Sequence, residues 1–169
     1  MIFHKVGSSL WGSMWIDSIR GIFLNRSIFK KGLSYTNQGA VLNIEFKGNL
    51  IMAIVQGKME LPFMVILEFL PFTEEEISRL MDLFREESLF MSYIESGINS
   101  DTVLDFLFNN NINPFIQNKN DIKSYCSCLE KDLCKHRSAI YYHLAKEIDK
   151  NPLLLFEWKG FIYKMKEKK

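Results

Sequence analysis

Residues 126–136 read CSCLEKDLCKH, and this stretch contains all three cysteines of a 169-residue chain. One residue separates Cys126 from Cys128, five residues follow, and one residue again separates Cys134 from His136. Thiolate and imidazole are ligands that zinc prefers in proteins, and four of them complete a tetrahedral site. The stretch therefore predicts that a bound metal ion holds the C-terminal third of the chain together.

The spacing of the four ligands indicates how the chain folds around the ion. Side chains two residues apart on an extended segment point to the same side, so Cys126 and Cys128 converge if the chain is extended up to Cys128. Two helical residues at this spacing are rotated by roughly 200°, so we expect Cys134 just before a helix and His136 in its first turn. Protein groups then fill all four positions, which leaves none for a catalytic water. We expect one structural Zn²⁺ ion and no catalytic residue.

The cysteines have two other interpretations, ordinary buried thiols and a redox pair. The clustering of all three at metal-ligand spacing argues against the first. The Cys-x-Cys spacing lacks the two-residue spacer of the common redox motif, which argues against the second.

Positive side chains lie next to the ligands and along the helix that follows. Three thiolates and one Zn²⁺ ion carry a net charge of −1, which neighbouring cations offset. The same cations can contact the phosphates of a nucleic acid or a partner protein. The candidate contact residues are Lys131, Lys135, Arg137, Lys146 and Tyr142, the last because it falls off the apolar stripe of its helix. Acidic residues are interleaved with these cations, so a solvated face of mixed charge is the competing interpretation.

Three apolar runs between residues 41 and 70 predict a β-meander. Leu42, Ile44 and Phe46 alternate with polar residues, which is typical of a half-buried strand. Residues 50–55 are continuously apolar, which predicts a central strand covered on both faces. Pro62 opens the third run, and short turns between the runs favour antiparallel pairing.

Helical signals occupy most of the remaining chain. Thr73 and Glu76 form a capping-box pattern that predicts a helix start. The predicted helices cover 10–24, 29–35, the segment after Thr73, 87–95, 100–108, 140–148 and 153–159.

These elements predict an α+β protein. N-terminal helices and a three-stranded antiparallel meander pack with a helical middle, and a C-terminal zinc finger with following helices can extend the sheet. The Asn109-Asn110-Asn111 run is the best candidate boundary. We therefore divide the chain into an N-terminal α+β region, 1–110, and a zinc-finger module, 111–169, packed as one compact unit.

Composition and charge narrow the class of protein. Apolar residues make up 47% of the chain and it contains 14 Phe, which favours a folded core over disorder. The net charge is +1, but basic ends flank an acidic middle. This asymmetry is compatible with an anionic partner, and equally with segments that complement each other within one fold. No leader pattern and no membrane-length apolar run are visible, so we expect a protein of the reducing cytoplasm.

Residues 126–136 resemble the SWIM zinc finger, whose pattern is Cys-x-Cys, a variable gap and Cys-x-His. Ala139 to Tyr142 resembles the apolar helix that follows this finger, and Asp149 to Phe156 resembles the Asp-x-x-Pro-x-Leu-Leu-Phe tail of prokaryotic SWIM finger proteins. This chain also resembles the N-terminal half of those proteins at Trp11-Gly12, Trp15-Ile16, Gly32…Tyr35…Gly39 and Val55-Gln56-Gly57. The resemblance implies that Cys126, Cys128, Cys134 and His136 are zinc ligands. It also implies a role in DNA binding or in protein–protein contacts.

The combined expectation is a non-enzymatic zinc-binding protein, because no nucleophile motif, phosphate loop or dinucleotide fingerprint is present. It would act as a nucleic-acid-associated or protein-bridging module in a larger complex. The alternative is an accessory subunit of a protein or ribonucleoprotein assembly, in which zinc is purely structural and no nucleic acid is contacted. We expect protein partners, with nucleic acid as a second candidate, and no membrane or small-molecule substrate.

Overall fold

The computed structural model describes residues 6–23, 25–86, 100–130 and 133–161. The predicted helix over 87–95 and the candidate contact residue Lys131 lie outside these ranges. The helices are α1 (Leu10–Ile22), α2 (Arg26–Asn37), α3 (Glu74–Glu86), α4 (Ser100–Asn109), α5 (Lys135–Lys150) and α6 (Leu154–Trp158). The strands are β1 (Val41–Lys47), β2 (Leu50–Val55), β3 (Phe63–Phe69) and β4 (Ile122–Cys126), the last preceded by a 3₁₀ turn, Lys119–Asp121.

The four strands form one antiparallel sheet in the order β1-β2-β3-β4. The first three are the predicted meander, and β4 pairs with β3 so that Cys126 lies opposite Val65. The α+β class and the extension of the sheet by the cysteine segment are therefore confirmed. The sheet thus joins the segment before residue 110 to the segment after it.

The sheet is covered on one face only, within the part of the chain that the structure describes. Ile51, Val55 and Val65 are fully buried on the inner face, which packs against α5. The alternate residues of β2 are half-buried or exposed, so the prediction that this strand is covered on both faces is wrong. An apolar run alone cannot distinguish a doubly covered strand from one with an open apolar face.

Strand β1 lies at the edge of the sheet and is more exposed than predicted. Ile44 is half-buried, but Leu42 and Phe46 are exposed. A shift in register between Val41 and Asn43 breaks the alternation at the start of the strand. Phe46 instead stacks on the ring of Trp158, with ring centroids 5.8 Å apart and planes 5° apart.

Helix α5 is the centre of the helical layer. It packs against α1, α2 and the inner face of the sheet, so its sides are buried over most of its circumference. The Trp15 indole N–H of α1 donates to the Tyr141 carbonyl at 2.9 Å. This contact fixes α1 beside the helix that follows the cysteine segment.

Asp149, near the end of α5, holds the first turn of α1. Its carboxylate accepts hydrogen bonds from the backbone N–H groups of Ser8 and Ser9 at 3.0 and 2.9 Å, and from the Ser9 hydroxyl at 2.7 Å. A carboxylate at a helix N-terminus also interacts favourably with the helix dipole. Gly12 lies against this carboxylate, where any side chain would collide with it.

Candidate metal centre

The four predicted ligands come from the end of β4, the turn after it and the start of α5. Cys126 is the last residue of the strand, Cys134 caps α5, and His136 lies in the first turn of that helix. The predicted helix register is therefore confirmed. The prediction of an extended chain up to Cys128 is wrong, because a turn follows Cys126. The Leu129 N–H closes that turn by donating to the Cys126 carbonyl at 3.1 Å, and Leu129 itself has a φ of +62°.

The donor atoms of the four residues lie within 4.8 Å of one another. Zinc–sulfur and zinc–nitrogen bonds of about 2.3 and 2.0 Å at tetrahedral angles require neighbouring donors to be about 3.6 Å apart. His136 Nδ1 lies 3.7 Å from Cys126 Sγ, which agrees with that spacing. The donor set and its geometry therefore fit a tetrahedral zinc ion bound through Nδ1 of the imidazole.

The thiols of Cys126 and Cys134 shift each other's pKa in opposite directions. The pKa of Cys134 is lowered, mainly by its hydrogen bond with Cys126 and further by His136 and the backbone N–H of Arg137. The pKa of Cys126 is raised, mainly by its hydrogen bond with Cys134 and further by burial. Zinc binds cysteine as the thiolate, so metal binding releases thiol protons and is coupled to local folding.

Aromatic rings and a glycine hold the imidazole of His136 in place. Phe63 of β3 stacks on it with centroids 4.1 Å apart and planes 20° apart, and Tyr35 of α2 meets it edge-on at 5.8 Å. Gly57 lies behind this pair, where a Cβ atom would come within 2.5 Å of the Phe63 ring and 3.1 Å of His136 Nε2. The ligand is thus oriented by three elements outside the cysteine segment.

Arg137 joins the two halves of the cysteine segment. Its guanidinium donates to the Ser124 carbonyl at 3.3 Å, to the Ser124 hydroxyl at 3.2 Å and to the Glu130 carbonyl at 2.6 Å. The residue is only 4% exposed. A planar guanidinium suits this bridge because its donors point in fixed, divergent directions. Its placement supports a structural role within the finger.

The other candidate contact residues differ in their exposure. The expectation that Tyr142 faces away from the core is wrong: it is 6% exposed and packs on Phe29 of α2, with centroids 4.6 Å apart. Lys135 and Lys146 are half-buried along the line where α5 meets α2. The Lys135 ammonium lies 5.3 Å from the centre of the Tyr35 ring, and that of Lys146 is 3.5 Å from the Asn37 side-chain oxygen.

Sequence reasoning did not identify Gly57 or Phe63 as supports of the metal site, and it assigned Arg137 only to offset the charge of the site and to contact a partner. Gly57 carried a signal, since it belongs to the Val55-Gln56-Gly57 segment of the resemblance. No sequence signal distinguished Phe63, because it is one of several apolar residues in its predicted strand.

Comparisons with known proteins agree with the ligand set. Residues 109–145 match the SWIM zinc finger. An uncharacterized protein of Mycobacterium tuberculosis, Rv2102, is 22% identical over 156 residues, which is 92% of this chain and 56% of that protein. The chain therefore spans little more than half the length of this relative. No solved structure matches the chain.

The match covers the end of α4, all of β4 and the first part of α5, and it contains all four ligands. The sequence pattern, the converging donors and the family match all describe the same site. Residues 109–145 therefore contain a SWIM zinc finger, and Cys126, Cys128, Cys134 and His136 form its structural zinc site.

Proposed function

We propose that the chain is a non-enzymatic binding module of a nucleic-acid-associated assembly, and that it contacts the phosphate backbone of the nucleic acid directly. Zinc fixes the finger and performs no chemistry in this proposal. The contact is made by a basic face that α2 and α5 form together. This face consists of Arg26, Lys30, Lys31, Lys135 and Lys146.

The closed ligand set supports a non-enzymatic role. Protein groups supply all four donors, and Cys126, Cys134 and His136 are buried. A catalytic zinc site keeps one position open for water or substrate. Three thiols held as free cysteines also suit a reducing compartment, so the cytoplasm is the proposed location. None of the described helices has the length and apolar character needed to cross a membrane.

The observation that carries the proposal is that the cations of the basic face lack acidic partners. None of the five forms an ion pair with a carboxylate in the part of the chain that the structure describes. Five other basic side chains of the described residues do form ion pairs, namely Arg20–Asp17, Lys47–Glu45, Arg79–Glu75, Lys123–Glu68 and Lys150–Glu147. Unpaired cations grouped on one surface provide the electrostatic attraction that phosphate binding requires.

The exposed side of α2 supports a contact to phosphates rather than to bases. Arg26, Lys30 and Lys31 are exposed together with Ser27 and Ser34, and no aromatic residue lies among them. Base recognition on single strands uses aromatic stacking, whereas cations and hydroxyls bind phosphate oxygens. No acidic residue occurs between Asp17 and Glu45, so the sequence around this helix adds no repulsion.

The test is the salt dependence of binding to a fluorescent duplex DNA of random sequence. The Lys30→Gln/Lys31→Gln variant should bind DNA more weakly. The negative slope of the logarithm of the binding constant against the logarithm of salt concentration should become shallower by roughly 2, since each phosphate contact contributes about 0.9 to its magnitude. The matched control is Lys47→Gln/Lys123→Gln, which removes the same charge from two paired lysines on the sheet. It should leave the slope nearly unchanged.

Two results would contradict the proposal. Equal slopes for the two variants would remove the basic face as the contact. No binding of duplex DNA, single-stranded DNA or RNA at low salt would remove nucleic acid as a direct ligand. That outcome would favour the alternative of an accessory subunit whose zinc is purely structural.

A further inference from the structure

An apolar block occupies the sheet face that is turned away from α5. Strand register places residues of β2, β3 and β4 side by side on this face in three rows. The block, which we call the outer face, consists of Leu50, Met52, Ile54, Met64, Ile66 and Tyr125.

The outer face is exposed and bordered by polar residues. Leu50, Met64 and Tyr125 are 38%, 42% and 49% exposed, and no described element covers them. Exposed apolar patches with a polar border are typical of protein–protein contact sites. The polar border consists of Asn43, Glu45, Lys47, Glu68 and Lys123.

The size of the outer face matches one helix better than a folded domain. Rows about 7 Å apart and strands about 5 Å apart give a block of roughly 20 by 15 Å once side chains are included. A stable dimer buries about 800 Å² on each partner, which is more than twice this area. A helix about 10 Å wide covers the block with three to four turns, which are about 16 to 22 Å long.

Charge placement argues against a second copy of the chain as the occupant. If two copies stacked face to face about a two-fold axis parallel to the strands, β1 would lie over β4 and Lys47 would oppose Lys123. If the two-fold axis instead lay in the interface perpendicular to the strands, the middle row of each copy would face the same row of the other copy. That row contains Glu45, so Glu45 would face Glu45. Both arrangements bring like charges together, which is unfavourable.

Backbone hydrogen bonds argue against a partner strand that would pair with β4 at the edge of the sheet. On the free edge of β4, the Ser124 carbonyl accepts a hydrogen bond from Arg137, and the Cys126 carbonyl accepts one from the Leu129 N–H. An extended peptide would need these groups to continue the sheet. A helix needs none of them, because it satisfies its own backbone.

We propose that the outer face binds an amphipathic helix of a partner protein. The apolar stripe of that helix would cover Met52, Ile54 and Ile66, with Tyr125 and Leu50 at its sides. Methionine is unbranched and polarizable, so Met52 and Met64 can adapt to the partner's side chains. The inference goes beyond phosphate binding by the basic face, since it uses a different surface and would make the chain a bridge.

The probe is a synthetic amphipathic peptide of about 16 residues with leucine on one face, compared with a scrambled peptide of the same composition. The readout is the NMR signal of the methionine methyl groups. Saturable shifts of the Met52 and Met64 methyl signals are expected, with no shift of the buried Met81 signal. The scrambled peptide should shift none of them.

A matched pair of variants locates the contact. Leu50→Gln should weaken peptide binding about fivefold, because it removes apolar area from the contact. Leu10→Gln on α1, which is 37% exposed, should leave binding unchanged. Neither residue belongs to the basic face, so DNA binding by both variants should equal that of the unaltered chain.

Three outcomes would overturn the inference. Absence of a saturable shift at Met52 and Met64 would exclude the outer face as a helix-binding surface. Equal weakening by Leu50→Gln and Leu10→Gln would mean that binding occurs elsewhere. A concentration-dependent dimer that Leu50→Gln abolishes would assign the surface to a second copy. DNA binding could persist in all three cases, so they are distinguishable from failure of the proposed function.

Discussion

At the scale of single residues, two glycines and one buried arginine determine how segments that are distant in the sequence contact one another. Gly12 allows the Asp149 carboxylate to reach the first turn of α1, and Gly57 allows Phe63 to lie flat on His136. Arg137 closes the finger by bridging Ser124 and Glu130. The contacts at the two glycines join the zinc finger or its tail to another segment, whereas those of Arg137 join parts of the finger itself.

Replacement of Gly12 tests the contact between α1 and Asp149. Gly12→Ala should lower the free energy of unfolding by about 1–3 kcal/mol, because the new Cβ atom displaces a carboxylate that accepts three hydrogen bonds. The control Gly21→Ala lies in the same helix with nothing within 4 Å of its Cβ position. It should raise stability by up to about 1 kcal/mol through helix propensity. Urea unfolding of both variants measures this, and equal effects would contradict the account.

Arg137 tests whether the guanidinium bridge retains the metal. Arg137→Lys keeps the charge but cannot bridge two carbonyls, so it should lower stability by about 1–2 kcal/mol and speed zinc release. The rate of zinc transfer to a colorimetric chelator provides the measurement. Lys146→Gln, on the same helix but away from the finger, should release zinc at the original rate. An unchanged rate in Arg137→Lys would show that the bridge does not hold the finger.

At the scale of elements, α5 acquires its place from the helices on either side of it. Helix α2 crosses it closely at Gly32, where a Cβ atom would lie 2.5 Å from the Ser138 carbonyl carbon and 2.7 Å from the Ala139 nitrogen. The Thr36 hydroxyl donates to the Ala139 carbonyl at 2.8 Å in the same region. Backbone atoms at this crossing cannot move aside as a flexible side chain would.

Gly32→Ala should therefore destabilise the protein, even though alanine is the better helix former. The propensity gain is about 1 kcal/mol, whereas overpacking against a fixed backbone costs about 1–3 kcal/mol and also breaks the Thr36 hydrogen bond. Thermal unfolding followed by circular dichroism measures the balance. A higher melting temperature in the variant would mean that α2 is free to shift on α5.

Local signals were sufficient to predict several elements and the ligands. Helix α1, the three strands and the Thr73 capping box follow from patterns within a few residues, and the four ligands lie within eleven residues. The Thr73 hydroxyl indeed accepts from the Glu76 N–H at 3.2 Å. The burial of Tyr142 could not be predicted, since it depends on α2 covering a second side of α5. The open face of β2 depends likewise on which side of the sheet the helices occupy.

At the scale of the whole molecule, the zinc finger is built into the fold rather than attached to it. Strand β4 pairs with β3, and α5 supplies the surface on which α1 and α2 pack. The boundary between 1–110 and 111–169 stays a prediction, but these contacts cross it. The basic face and the outer face both take their positions from elements on each side of that boundary.

The fragment 111–169 should therefore not fold on its own, even with zinc. In the fragment, α5 would expose apolar residues on several sides and β4 would lack its partner strand β3. The apolar area buried would therefore not compensate for the conformational entropy lost on folding. Circular dichroism of the fragment with one equivalent of zinc should show no cooperative thermal transition. A sharp transition would make the finger an independent domain.

The central claim is that one zinc ion, bound by Cys126, Cys128, Cys134 and His136, holds the finger together. Cys128 is the least buried of the three cysteines, so Cys128→Ser disturbs packing least while it removes a ligand. Elemental analysis with thermal unfolding should give about one zinc per chain for the unaltered protein, and less zinc with a lower melting temperature for the variant. Protein that is purified without chelators and folds fully with no zinc would contradict the account.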